Sequence, residues 1–280
     1  MNGTGFSGLA VAAFESRMAK EMARLIEHCG GKPLVAPALQ EVPIQDNAAA
    51  LRLGDELIGG QIDLLILMTG VGATALLDIL QSRHPLPSIL EGLKRTATVA
   101  RGPKPAAALK AHGITPTLTV PEPNTWMEVL ATLDSYRPLK GLRVAVQEYG
   151  ASNPELVESL KQRGADVFPV PIYRWTLPED KAPLQQVLGE ILAGKVQVML
   201  ITNAAQIDHV MQLLEQGDNI ARFTEACRKM VVASIGPTAS ERLRHYHLPI
   251  DFEPAHSKMG ILVKETSEQA QTLLQQKQSA

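Results

Sequence analysis

Val231-Val232-Ala233-Ser234-Ile235-Gly236-Pro237-Thr238-Ala239-Ser240 is the stretch whose reading decides the fold. Its β-branched start predicts a buried strand that stops at Gly236-Pro237. Thr238 then opens an amphipathic helix running through Leu243. A strand that feeds a helix through a Gly-Pro turn aims backbone N–H groups at one spot, and the helix dipole makes that spot favourable for an anion. One such turn is common in α/β proteins. Here there is a second copy: Thr98-Val99-Ala100-Arg101-Gly102-Pro103-Lys104-Pro105 lies 134 positions upstream with its Gly-Pro in register.

The correspondence spreads outward from the two turns. Gly8-Leu9-Ala10-Val11-Ala12 aligns with Gly141-Leu142-Arg143-Val144-Ala145 at an offset of 133. The segment Ile62 to Thr69 aligns with Val196 to Asn203 at an offset of 134. The chain therefore reads as two diverged copies of one α/β unit, and a pair of similar lobes suggests a ligand cleft. A length of 280 residues agrees with about two domains. With 45% hydrophobic and 4% aromatic residues, the cores must be built from Leu, Val, Ile and Ala.

Composition also limits function. A net charge of −2 without a basic run argues against nucleic acid or a membrane surface as partner. Cys29 and Cys227 fit no metal pattern and suggest a reducing compartment, hence a cytoplasmic location. Met1 to Ser7 does not read as a signal peptide. The apolar run Leu64 to Met68 is too short to span a bilayer.

In the first copy, Leu9–Ala13 reads as a strand, Ser16 as a helix N-cap, and Met18, Met22, Leu25 and Ile26 as the helix's apolar face. Pro33–Ala36 reads as an edge strand and Pro37–Asp46 as an extended linker. Asn47–Ile58 is a helix and Leu64–Met68 a buried strand. Gly70, Gly72 and Ala75 then spell G-x-G-x-x-A, a dinucleotide-binding pattern. The pattern does not follow the first strand of its copy, and no acid for a ribose ends the next strand. Pro105–His112 is a helix, and Thr125 caps another that begins at Trp126, a core plug. In the second copy, Glu148-Tyr149-Gly150 replaces the Phe14 turn, Pro171–Pro178 is the counterpart linker, and Ser257 caps the last helix. Arg17 reads as a solvated helix start or an anion contact, and His245 and His247 as an exposed helix end. No His-x-x-x-His, Gly-x-Ser-x-Gly or P-loop lysine motif is present. That leaves a binding protein, or an enzyme that holds its substrate in shape.

The Ile235-Gly236-Pro237-Thr238 turn, Pro254 with Ser257, the Gly164-Ala165-Asp166-Val167 strand start and the Ile172-Tyr173-Arg174 linker together resemble uroporphyrinogen-III synthase. The resemblance extends from about Leu9 to Val263. It implies two Rossmann- or flavodoxin-like parallel-sheet α/β lobes joined by a two-stranded linker, in a swapped layout. One lobe would comprise residues 1–37 and 178–280, the other 50–165, with 38–49 and 166–177 connecting them. It further implies a cofactor-free cyclisation of hydroxymethylbilane in tetrapyrrole (haem) biosynthesis, with loss of water and inversion of the last pyrrole ring, by a monomer. The substrate's eight carboxylates suit turns rich in N–H groups. The expected substrate-binding residues are Thr69, Gly70, Gly102, Lys104, Thr202, Asn203, Gly236, Pro237 and Thr238. Tyr173 matches the linker tyrosine most often given a functional role in the family, either assisting loss of the hydroxymethyl oxygen or positioning it. Pro105 and Ala239 stand where the family often has threonines, and Gly70-Val71-Gly72 and Asn203-Ala204 depart from its usual Ser-Pro. The remaining readings are a two-lobed anion-binding or sensing protein without catalysis, and a dinucleotide-binding oxidoreductase.

Overall fold

A computed structural model of the chain describes residues 5–44, 46–148, 150, 152–215 and 218–279. Gln45 of the first linker, Tyr149 of the second-copy turn and the first four residues lie outside the described residues. The chain divides into two compact units, Met1–Gln40 with Thr176–Ala280 (unit 1) and Glu41–Trp175 (unit 2).

The chain starts in unit 1 with β1 (Ala10–Ala13), α1 (Ala19–His28) and β2 (Lys32–Val35), and leaves through β3 (Gln40–Pro43). Unit 2 follows as α2 (Ala48–Ile58), β4 (Leu64–Leu67), α3 (Gly70–Gln81), α4 (Leu86–Arg95), β5 (Ala97–Ala100), α5 (Pro103–Lys110), β6 (Leu118–Thr119), α6 (Trp126–Tyr136), β7 (Arg143–Gln147), α7 (Pro154–Gln162) and β8 (Asp166–Val170). The chain returns through β9 (Tyr173–Thr176), which pairs with β3 in a two-stranded sheet. Unit 1 is completed by α8 (Ala182–Leu192), β10 (Val198–Ile201), α9 (Ala204–Leu214), α10 (Asn219–Lys229), β11 (Val231–Ser234), α11 (Pro237–His245) and α12 (Met259–Gln278).

Unit 1 has the sheet order β11-β10-β1-β2, extended at one edge by a parallel bridge from Ala233 to Phe252. Unit 2 has the order β6-β5-β4-β7-β8. All the pairings within these two sheets are parallel. Both follow the flavodoxin-like order 2-1-3-4-5, with β1 and β7 as first strands. Each sheet takes its first two strands from one sequence copy and the others from the other copy. The central strands are buried on both faces, as covered parallel strands require. In β4, Leu65 and Leu67 face Leu53, Leu76 and Ile89, while Leu64 and Ile66 face Val129, Leu133 and Leu160. In β10, Met199 and Ile201 join a core with Leu188, Ile207 and Phe223, while Val198 and Leu200 pack with Met22, Ile26 and Leu262.

Several local expectations change. Residues 166–170 form β8, the strand that the start at Gly164-Ala165-Asp166-Val167 announces, and not part of the second connection, because Val144 pairs with Val167 and Gln147 with Val170 along the whole edge of β7. Residues 48 and 49 belong to α2, within the helix read over Asn47–Ile58, and not to the first connection. Ser16 is no cap: its Oγ accepts the Leu39 N–H at 3.1 Å, and α1 starts after Met18. Ser257 does not cap α12 either, which starts after Lys258. Helix α5 begins at Pro103 rather than Pro105, since proline's fixed φ and missing N–H suit the first helical position. Thr125 does cap α6, in a capping box with Glu128. Trp126 is partly buried against the unit 2 core, and His245 and His247 are exposed. No helix among the described residues is long and apolar enough to cross a membrane.

Candidate functional site

In an open doubly wound sheet, ligands sit beyond the carboxyl ends of the strands, where the strand order reverses. In unit 2 that point lies between β4 and β7. Gln147, the last residue of β7, is fully buried there. Its Oε1 accepts the N–H groups of Met68 at 3.2 Å and Thr69 at 3.3 Å, and its Nε2 donates to the Glu148 carbonyl. Thr69 is the extended N-cap of α3, and its Oγ1 accepts the Gly72 N–H at 3.0 Å. A Cβ on Gly72 would come 2.6 Å from Cδ of Gln147, and one on Gly70 would come 2.9 Å from the Lys104 carbonyl oxygen. The glycines of the G-x-G-x-x-A pattern thus admit a buried amide and the backbone of α5. Protein contacts account for them, which removes the motive for the dinucleotide reading.

Tyr173 opens β9 with its side chain 8% exposed, packed in the unit 2 core. Its hydroxyl lies 3.2 Å from Thr69 Oγ1. Gly102 is the extended N-cap of α5, covered by Asn124: a Cβ there would come 2.6 Å from Oδ1. Pro103 and Pro105 lack N–H groups, so Lys104 supplies the free-ended donor of this first turn, beside its own exposed ammonium. Thr69, Gly70, Gly102, Lys104 and Tyr173 therefore occupy one edge of unit 2, where α3 and α5 pack together.

Unit 1 reaches the same result with different residues. Its reversal point lies between β10 and β1. Gln206, on the first turn of α9, accepts the N–H groups of Thr202 at 3.0 Å and Asn203 at 3.3 Å through Oε1. By the offset of 134 Gln206 stands where unit 2 has Gly72, and by the offset of 133 Phe14 stands where unit 2 has Gln147. One amide clamps the two strand-end N–H groups in each unit, supplied by the strand in unit 2 and by the helix in unit 1. Asn203 caps α9, its Oδ1 accepting the Ala205 N–H at 2.9 Å. The Thr202 hydroxyl donates to Glu15 Oε2 at 2.6 Å and accepts from Gln206 Nε2 at 2.8 Å. Gly236 is the extended N-cap of α11, Pro237 its first residue, and Thr238 is exposed on that turn. Ser257 lies over Gly236, as Asn124 lies over Gly102.

The expected ligand residues thus gather at the carboxyl edge of their own unit. The backbone N–H groups of Thr69, Thr202 and Asn203 are already engaged by glutamines. What remains for an anion are side-chain hydroxyls and the helix N-termini, with their dipoles. Unit 2 adds Arg101 and Lys104 near its turns, whereas unit 1 places Glu15 on Thr202 and Glu253 on Ser240. Among the described residues no group of three or more His, Cys, Asp or Glu side chains gathers as a metal cluster. Sequence reasoning missed Gln147, Gln206 and Glu15. Asn203 followed three residues later by Gln206 is a capping-box spacing, and a lone amide ending the apolar run Val144-Ala145-Val146 is a second legible signal.

Comparison with known proteins completes the description. The family model described as Uroporphyrinogen-III synthase HemD matches residues 20–264. The protein YjjA of Bacillus subtilis (strain 168) is 26% identical over 266 residues, covering 94% of this chain and 96% of that one. A crystal structure of a mutant uroporphyrinogen III synthase from the extremely thermophilic bacterium Thermus thermophilus superposes with a TM-score of 0.74 at 23% identity, covering 96% of this chain and all of that one. The wild-type enzyme of the same organism, in another crystal form, gives 0.56 at 24% identity over 98% of this chain and all of that one. At these identities the structural likeness is one of fold. The family model, spanning most of the chain and both units, goes further: the chain belongs to the uroporphyrinogen-III synthase family.

Proposed function

We propose that the protein is an active uroporphyrinogen-III synthase, a cyclising hydro-lyase that converts hydroxymethylbilane to uroporphyrinogen III. The observation that carries this reading is the family match over residues 20–264. The site geometry supports it. The substrate carries eight carboxylates, and each unit presents two neighbouring helix N-termini at one sheet edge, α3 with α5 and α9 with α11. Thr238, Lys104 and Asn203 are the side chains on those first turns able to hold carboxylates.

The reaction begins when the hydroxymethyl C–O bond breaks. The oxygen takes up a proton from solvent as it departs and leaves as water, and an azafulvenium cation remains. The Tyr173 phenol, set beside the α3 N-cap, hydrogen-bonds the departing oxygen. The spontaneous path closes the ring without rearrangement. The protein's larger task is to hold the bilane so that the substituted carbon of its last ring is attacked, a matter of orientation. Incubation with hydroxymethylbilane and separation of the product isomers tests the reading. Binding of the tetrapyrrole with no isomer III formed would mark an anion-binding protein instead.

A further inference from the structure

The geometry points to Thr69 as a positioning residue for Tyr173, rather than a direct substrate contact: its hydroxyl donates to the phenol oxygen and turns the phenol O–H toward the reacting group. This rests on the role proposed for Tyr173. Thr69 Oγ1 accepts the Gly72 N–H as the cap of α3 and lies 3.2 Å from the Tyr173 hydroxyl. Accepting that N–H leaves the hydroxyl hydrogen to be placed, and the phenol oxygen is in reach. A hydroxyl is both donor and acceptor, so Thr69 serves the helix with a lone pair and Tyr173 with its proton.

The duplication supports the assignment. The corresponding cap in unit 1 is Asn203, and the residue corresponding to Tyr173 is Leu39. Asn and Thr both cap helices, so capping alone does not explain Thr69. Where the phenol is absent, the hydroxyl at the cap is absent too. The position is also held firmly: Gln147 fixes the Thr69 N–H, and Gly72 leaves room for that amide.

The test is a double-mutant cycle between Thr69→Val and Tyr173→Phe, read as the rate of isomer III formation. Thr69→Val should lower kcat roughly 3–10-fold, the loss of one modest hydrogen bond, with KM little changed. Thr69→Ser should retain the wild-type rate. In the Tyr173→Phe background Thr69→Val should have no further effect. Thr69→Asp, which keeps a capping side chain but cannot donate, should lose kcat as Val does even if Thr69→Val folds poorly. A second readout follows structure alone. With ring-labelled tyrosine, the Cζ resonance assigned to Tyr173 by the Phe variant should move in Thr69→Val and return in Thr69→Ser. An unmoved resonance, or losses that multiply in the double variant, would overturn the role of Thr69. Tyr173→Phe at full rate would instead remove the tyrosine from the mechanism, and Thr69's part in catalysis with it, even where the resonance shift shows the hydrogen bond to exist.

Discussion

Replacing Gly72 by alanine is the sharpest test of how the site is built. In an exposed helix interior this change stabilises by about 0.5–1 kcal/mol, because glycine is the more flexible residue in the unfolded chain. At Gly72 the added methyl would lie 2.6 Å from Cδ of Gln147, a fully buried side chain that holds the N–H groups of Met68 and Thr69. The amide must move. Two buried hydrogen bonds are then lost, at about 0.5–1.5 kcal/mol each. The helix gain offsets part of this, leaving a net loss of about 1–2 kcal/mol. For a chain of this size that is a fall in melting temperature of roughly 2–4 °C. Gly189→Ala in α8 is the internal control, since a Cβ there meets nothing within 4 Å; it should raise stability slightly. The duplication supplies a rescue. Gly72→Gln combined with Gln147→Phe copies the pair Gln206 and Phe14 of unit 1 and should be more stable than either single variant. Thermal melts of these variants beside wild type decide it. A Gly72→Ala variant as stable as wild type, or a double variant no better than the worse single, would refute the clamp.

Tyr173→Phe should lower turnover about 100-fold with little change in thermal stability, because the ring's packing is kept and a positioned hydroxyl is lost; isomer III rates and melts measured together check it. Glu56 gives a pH prediction remote from the site. Burial raises its pKa, but hydrogen bonds from Arg143 and Arg52 outweigh this and hold the carboxyl below the usual range. The resulting stability is present above the unfolded value near 4.5 and is lost as pH falls through the depressed folded value. Glu56→Gln should therefore cost about 1–2 kcal/mol at pH 7 and flatten the acid side of a stability–pH curve, with the rate of isomer III formation unchanged. Cys227 is fully buried, and burial pushes its thiol up to about 12. Native protein treated with a thiol reagent should be modified at the half-buried Cys29 alone, which peptide mapping will show.

The two Gly-Pro turns were legible because each ends a β-branched run and opens a helix, a local pattern that survives duplication. Buried strands such as Leu64–Leu67 were legible as short continuous apolar runs. Helix α10 was not read, since its Asn219–Lys229 segment is rich in charge and buries only Phe223 and Cys227. Ser16 and Ser257 have the chemistry of helix caps, but each sits ahead of its helix's cap position, Met18 and Lys258. Ser16 bonds the connection leading to β3, and Ser257 covers Gly236. The turn N–H groups read as open to ligand, yet Gln147 arrives from a strand 79 positions away to engage two of them. That pairing is tertiary. Local sequence shows the donors but not the distant amide that satisfies them.

Isomer analysis of the product shows whether the chain makes the rearranged ring. Purified protein should be mixed with freshly generated hydroxymethylbilane, the products oxidised to porphyrins, and isomers I and III separated over time. Isomer III should predominate and form faster than the protein-free reaction closes to isomer I. Isomer I alone, formed at the protein-free rate, would contradict the account.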